Sequence, residues 1–211
     1  MTAQGLTRVQ RRIARTVLSV AAPDGFHLAG GAALVASHLT DRPTRDVDAF
    51  TSDDVDVGAV ADRVADALRG EGYEVTIARR SAWFASLAVT AGESRQSRLD
   101  VDLGRDAREW PGTTTSLGPT LSPRELAAGK VLALFGRVQP RDLADVAALV
   151  EHFPLEAMLA DAKTKDPGFD RRIMAEMIRM VVARPDEDWP VGADVVALRR
   201  FGTELAATLE R

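Results

Sequence analysis

The chain has 211 residues, 45% hydrophobic and 27% charged, with a net charge of −4 and no cysteine. This is the composition of a globular protein with ample core, one large domain or two small ones. It excludes a disulfide framework, thiol catalysis and a cysteine-based zinc site, and it argues against nucleic-acid binding through overall charge, though not through a local basic groove. The histidines His27, His38 and His152 are too scattered for a metal cluster. No apolar run is long enough to cross a bilayer. The first residues are polar and arginine-rich, without the apolar core of a signal peptide, so the expected location is the cytoplasm. Only three lysines, Lys130, Lys163 and Lys165, stand against 24 arginines. Arginine is the default cation, and a lysine at a particular place needs a reason.

In chain order, residues 7 to 21 carry Val9, Ile13, Val17 and Val20 at helical spacing, with Arg8, Arg11, Arg12 and Arg15 on another face. Pro23-Asp-Gly25 predicts a turn, and Phe26-His-Leu28 a short buried strand ending at Gly30-Gly31. Ala32 to His38 is helical in composition, Asp41-Arg-Pro43 breaks it, and Asp46 to Phe50 is the next strand. A helix is expected over Val55 to Arg69, stopped by Gly70 and Gly72. Strands follow at Tyr73 to Arg79, Trp83 to Val89 and Arg98 to Leu103, the last two separated by a polar turn over Ala91 to Ser97. The Pro/Gly/Thr-rich segment Pro111 to Pro119 has the character of a linker. Beyond it helices are predicted over 123–137, 141–152, 154–163, 168–184 and 192–210. An α/β half to residue 118 and a helical half over 119–211 result.

The most informative residues are Asp46 and Asp48. Two acids at i and i+2 of a strand share one face, and carboxylates this close repel unless a cation lies between them. Mg²⁺ prefers such hard oxygen ligands, together with substrate phosphates. A glycine turn able to approach phosphate precedes the strand. Asp100 and Asp102 repeat the pattern in Arg98-Leu-Asp-Val-Asp-Leu103, opposite Leu99, Val101 and Leu103. One of them, Asp100 being preferred, is a candidate third carboxylate to accept a proton from an attacking hydroxyl or to share the metal. A solvated edge strand would show the same alternation.

In the helical half, Ser122-Pro-Arg-Glu125 has the form of a capping box. The helix it opens is apolar nearly all round, which makes Lys130 conspicuous, because a buried ammonium without a partner is costly. Lys130 either reaches a triphosphate, pairs with an acid, or snorkels to the surface. Asp142 opens the next helix, where the exposed amides and the dipole suffice to explain an acid. Asp145, one turn deeper beside an apolar line, is not explained that way and is the better candidate. The stripe Arg8, Arg11, Arg12, Arg15 is either solvated surface or a phosphate-contact face for RNA. Trp83-Phe84 is expected in the core rather than as a base-stacking platform.

Taken together, Gly30-Gly31, Arg42-Pro-Thr44-Arg-Asp46-Val-Asp48, Leu99-Asp100-Val101, Glu125 through Lys130 to Arg137, and Pro140-Arg-Asp142-Leu-Ala-Asp145 resemble the AbiEii/MenT-type nucleotidyltransferase toxins, within the DNA polymerase β-like nucleotidyltransferase superfamily. The resemblance covers residues 25 to 150; the last third matches only in being helical. Thr44 stands where serine is frequent and keeps the hydroxyl. The stretch from Gly31 to Asp46 is slightly longer than the general superfamily pattern. The resemblance implies an α+β fold: an N-terminal nucleotidyltransferase-type mixed sheet with flanking helices, then a C-terminal helical bundle. It implies that Gly30, Gly31, Thr44, Arg45 and Lys130 surround the nucleotide phosphates. Asp46 and Asp48 would hold Mg²⁺, and Asp100, Lys130 and Asp145 would complete the catalytic set. The implied activity is transfer of a nucleoside monophosphate from an NTP to RNA, the 3′ end of tRNA in the tRNA-targeting members, which blocks aminoacylation and translation. A cognate antitoxin protein is the implied partner. Two other readings share the Gly-Gly and acid-pair core: a nucleotidyltransferase acting on small molecules such as antibiotics, and a binding protein that keeps the fold without the chemistry. The arginine stripe favours RNA over a small acceptor.

Overall fold

In the computed structural model, which describes residues 5–44, 46–91 and 98–210, the first helix is capped by its own sequence. The Thr7 hydroxyl accepts from the Gln10 N–H while the Gln10 side chain accepts from the Thr7 N–H, a reciprocal closure of free helix donors. Helix α1 (Arg8–Ala21) then buries Ile13, Ala14, Val17, Leu18 and Ala21. Strand β1 (His27–Ala29), the short helix α2 (Gly30–Ala36), strand β2 (Asp46–Thr51) and helix α3 (Val57–Gly70) follow. The Asp56 side chain caps α3 by accepting from the Ala59 N–H. Strands β3 (Glu74–Arg80), β4 (Phe84–Thr90), β5 (Arg98–Arg105), β6 (Thr113–Thr115) and β7 (Gly118–Thr120) complete a seven-stranded sheet in the order β3-β4-β5-β2-β1-β7-β6. The β2–β5 and β1–β7 pairs are parallel and the others antiparallel, so the sheet is mixed.

The strand period of two divides this sheet by chemistry. Val47, Ala49, Ala85, Leu87, Val89, Val101 and Leu103 are fully buried on one face, against which α1 and α3 pack. The other face carries Asp46, Asp48, Phe50, Asp100 and Asp102, none of them fully buried. A one-residue slip of β2 would exchange the two sets, which fixes the register.

Two expectations are corrected in this unit. Residues 111–119 form no linker. Their Thr113–Thr115 and Gly118–Thr120 stretches pair as a hairpin, and β7 docks beside β1 through Leu28↔Thr120. Gly118 takes φ +131°, a region only glycine enters readily, and the Thr115 and Thr120 hydroxyls bond across the hairpin at 3.0 Å. Trp83 is not core. The Ser81 hydroxyl, which accepts from the Trp83 and Phe84 N–H groups, builds a tight turn between β3 and β4 that turns Trp83 out to 63% exposure. The polar turn expected over Ala91 to Ser97 lies almost wholly outside the described residues.

The chain divides into two compact units, Met1–Leu126 and Ala127–Arg211, the boundary falling within helix α4 (Pro123–Arg137). The second unit comprises the rest of α4 with α5 (Pro140–Leu149), α6 (Leu155–Lys165), α7 (Arg171–Val182) and α8 (Val195–Leu209). Asp170 and Asp194 cap α7 and α8. The close approach of α8 to its neighbours depends on Gly202, where an added Cβ would lie 2.7 Å from Val182 and 2.9 Å from Leu143. Lys163 is structural: its ammonium donates to the carbonyls of Pro167 and Phe169, both at 2.7 Å. Between α4 and α5, Val138 adopts φ +53°, a left-handed conformation strained for a β-branched side chain.

Candidate active site

The carboxylates expected on strands come together in the first unit. β2 and β5 run parallel in the register Asp46↔Asp100 and Asp48↔Asp102. Paired residues of neighbouring strands point the same way, with strands about 4.8 Å apart, so four carboxylates crowd one face of the sheet. They differ in their surroundings. Asp100 is half exposed and is met by the Arg98 guanidinium at 3.0 Å. Asp102 keeps one oxygen buried with no hydrogen-bond partner among the described residues. A desolvated carboxylate oxygen without a donor is costly and marks a place where a cation or proton belongs.

Gly30 and Gly31 shape the approach to this face. Gly30 opens α2 with φ +60°, and a Cβ there would stand 1.8 Å from an Asp48 carboxylate oxygen. The absence of that carbon is what lets Asp48 lie against the glycine turn. At Gly31 a Cβ would meet the Thr44 hydroxyl at 2.8 Å; Thr44 Oγ1 also accepts from the Asp46 N–H at 3.4 Å. The Thr44 carbonyl is tied to α1 through the Gln10 amide. The structure thus brings Gly30, Gly31, Thr44, Asp46, Asp48, Asp100 and Asp102 into one neighbourhood; Arg45 lies outside the described residues.

Hard oxygen donors, a buried oxygen wanting positive charge, and space cleared by a missing Cβ suit a small divalent ion such as Mg²⁺. Among the described residues no group of three or more acidic, His or Cys side chains is already arranged as a metal site.

In the second unit, Lys130 lies 2.7 Å from Asp145 and 3.8 Å from Asp142. The lysine is 8% exposed and both acids are fully buried. The Arg137 guanidinium meets Asp142 at 2.8 Å. Helix α4 contributes the cations two turns apart, and α5 contributes the acids at i and i+3 on one face. The pairing with an acid that sequence left open for Lys130 is what the structure has. Asp142 was accounted for by the helix dipole alone, and that account is insufficient: it is a buried member of this network. The signal available was Lys130 itself, since a buried ammonium on an apolar helix needs buried acids and the next helix offers two at i and i+3.

The four arginines of α1 are exposed and line a shallow depression with Thr16 and Glu71. Arg12 is engaged there, 2.7 Å from Glu71 and over the Tyr73 ring. The Glu71 carboxyl is held below the usual range, first by the Thr16 hydroxyl, with Arg12 adding to the effect and burial opposing it. Arg11 and Arg15 donate to the carbonyls of Leu6 and Ser116. Because α1 packs on the apolar side of the sheet, the stripe stands behind the helical layer from the carboxylates. Only its N-terminal end, through Gln10 and Thr44, adjoins the loop before β2.

The chain matches the family described as "Nucleotidyl transferase AbiEii toxin, Type IV TA system" over residues 13–191. No curated protein sequence matches it significantly. Among solved structures it is similar to JHP933 from Helicobacter pylori, at 16% identity and a TM-score of 0.63, over 97% of this chain and 93% of that one. It is also similar to MenT4, a nucleotidyltransferase toxin from Mycobacterium tuberculosis, at 18% identity and a TM-score of 0.58, over 98% and 90% of the two chains. At these identities the likeness is one of fold.

Proposed function

Since the chain belongs to the AbiEii nucleotidyl transferase toxin family of type IV toxin–antitoxin systems, we propose that it is a Mg²⁺-dependent nucleotidyltransferase. It moves a nucleoside monophosphate from an NTP to the 3′ end of an RNA, with tRNA as the acceptor. The modified end blocks aminoacylation and so translation, and a cognate antitoxin protein holds the activity in check. The observation that carries this reading is the face shared by Asp46, Asp48, Asp100 and Asp102 beside the Gly30-Gly31 turn. Four carboxylates on one face are not explained by packing and favour the binding of a cation there.

Each residue has a task in that chemistry. Gly30 and Gly31 let the triphosphate approach the backbone, with the Thr44 hydroxyl beside it. Asp46 and Asp48 would hold Mg²⁺, which supplies charge neutralisation at the reacting phosphates. For the carboxylate that accepts the proton of the acceptor 3′-hydroxyl, we assign Asp102 in preference to Asp100. Asp102 has the buried, unpartnered oxygen and stands beside Asp48, whereas Asp100 is turned to Arg98. Within the helical unit, Lys130 with its partners Asp145 and Asp142 completes the set of residues that the family resemblance implies. Arg8 and Arg11 are the stripe members placed to contact RNA phosphates.

The test is incubation of the protein with total tRNA and each α-³²P-labelled NTP in turn, with and without EDTA. Label on the RNA 3′ end with at least one NTP, abolished by EDTA, is the expected result. No labelled RNA with any NTP, together with labelling of small acceptors, would move the assignment to a small-molecule enzyme. In the same assay Gly30→Ala is expected to lower transfer by about 100-fold, the effect of displacing a reacting group by roughly an ångström. Full activity in that variant would mean that Asp48 is not positioned by the glycine turn.

A further inference from the structure

Strand β3 breaks step once. Val75 and Ile77 stand opposite Val89 and Leu87 of β4, on the apolar side of the sheet, and a regular strand would put Arg79 there as well. The register shifts between Ile77 and Arg79, so that Arg79 pairs with Ser86 and Arg80 with Ala85. One extra residue in a strand re-aims the side chain that follows it. Arg79 therefore faces the carboxylate side. Arg80 faces the helices instead, where it meets Asp62 of α3 at 2.7 Å.

Ser86 is opposite Asp102 across β4 and β5, and Asp102 is opposite Asp48 across β5 and β2. Arg79, Ser86, Asp102 and Asp48 thus form one row across the sheet, with Arg79 about 10 Å, two strand spacings, from Asp102. The Arg79 guanidinium is held over the Phe84 ring at 4.9 Å. It is exposed and pairs with no carboxylate among the described residues, whereas Arg98 is committed to Asp100 at 3.0 Å. Phe84, Gly104 and Phe50 make the next row. A Cβ on Gly104 would meet the Phe50 ring at 3.0 Å and the Phe84 ring at 3.3 Å, so the two rings flank a floor without a side chain. This row lies about 7 Å beyond Asp48 and Asp102, one repeat along the strands, at the end away from the Gly30-Gly31 turn.

In phosphoryl transfer the entering and leaving oxygens stand roughly in line, on opposite sides of the phosphorus. With the triphosphate at the glycine turn, pyrophosphate leaves on that side and the acceptor hydroxyl enters from the side of Phe84 and Arg79. We propose that Arg79 selects a polynucleotide as the acceptor. Its guanidinium holds the phosphodiester on the 5′ side of the terminal nucleoside, whose 3′-hydroxyl lies at Asp102 and Asp48. This assignment rests on the nucleotidyl-transfer reading and adds to it a residue that recognises the acceptor. Stacking on Phe84 fixes the plane of the guanidinium before the acceptor arrives, so that little freedom is lost on binding. A free nucleoside or other small acceptor has no phosphodiester at that place and leaves the cation unused.

The contact is tested apart from the reaction, by fluorescence anisotropy of a short 5′-fluorescein-labelled single-stranded RNA with the full chain, without NTP or divalent ion. The RNA is made in two forms, both with a 2′-O-methyl group on the penultimate sugar. One has an ordinary last linkage, and the other has that linkage replaced by an uncharged methylphosphonate. The wild type is expected to bind the charged form about tenfold more tightly, the effect of one charge-assisted hydrogen bond. Arg79→Gln should bind the two forms alike, and Arg79→Lys should restore part of the difference. For the charged form, Arg79→Gln should reduce the slope of log affinity against log salt by about 0.7, the loss of one phosphate contact on a single strand. In the transfer assay, Arg79→Gln should raise the RNA KM and leave the NTP KM unchanged. Equal binding of the two forms by the wild type, or undiminished discrimination by Arg79→Gln, overturns the role of Arg79. Wild-type protein that discriminates between the forms but transfers no nucleotide to either overturns the transfer reading instead.

Discussion

Asp48→Asn is expected to lower nucleotidyl transfer on the order of 1000-fold, the rate equivalent of losing about 4 kcal/mol of transition-state charge stabilisation. Asp46→Asn should behave alike. The amide keeps the shape of the carboxylate against Gly30, so the fold has no steric reason to change. Four acids share this face, and the thermal midpoint of each variant without divalent ions is the baseline for the effect of the metal. Added Mg²⁺ should stabilise the wild type more than either variant, through linkage between binding and folding. Transfer within tenfold of wild type in both variants would remove these residues from the catalytic set.

The second large effect concerns Lys130→Met. The substitution leaves Asp145 buried without its ammonium and Asp142 with Arg137 alone. Breaking a buried pair from one side costs about 3–5 kcal/mol, more than the pair itself contributes. The double variant Lys130→Met with Asp145→Leu replaces the pair by apolar groups and should regain most of that loss in urea unfolding. It also separates stability from chemistry. If Lys130 belongs to the catalytic set as proposed, the double variant is folded but transfers on the order of 100-fold more slowly; recovery of activity alongside stability would make the lysine a purely structural cation.

The acids were legible in the sequence because a strand's period is two: Asp46-Val-Asp48 and Asp100-Val-Asp102 each declare one face, and Val47 and Val101 declare the other. That the two faces are the same face was not legible. It follows from the parallel pairing of β2 with β5, residues more than 50 apart in the chain, which no local pattern encodes. The hairpin at residues 113–120 escaped because three-residue strands are too short to show alternation and their Pro, Gly and Thr content signals a loop. Trp83 was misplaced by its apolar neighbours, since a turn made by one serine hydroxyl decides its exposure. Asp142 was missed because a sufficient local explanation, the helix terminus, concealed a tertiary one.

The sheet order has a consequence for synthesis on the ribosome. β2 emerges early but lies between β5 and β1, and β1 in turn needs β7 on its far side. Contacts of such sequence separation close late and slowly. A nascent chain therefore exposes Asp46 and Asp48 long before Asp102 can join them, and translation must run past Thr120 before the sheet around them is whole. The carboxylate face is, by its topology, incomplete until the whole α/β half has been delivered.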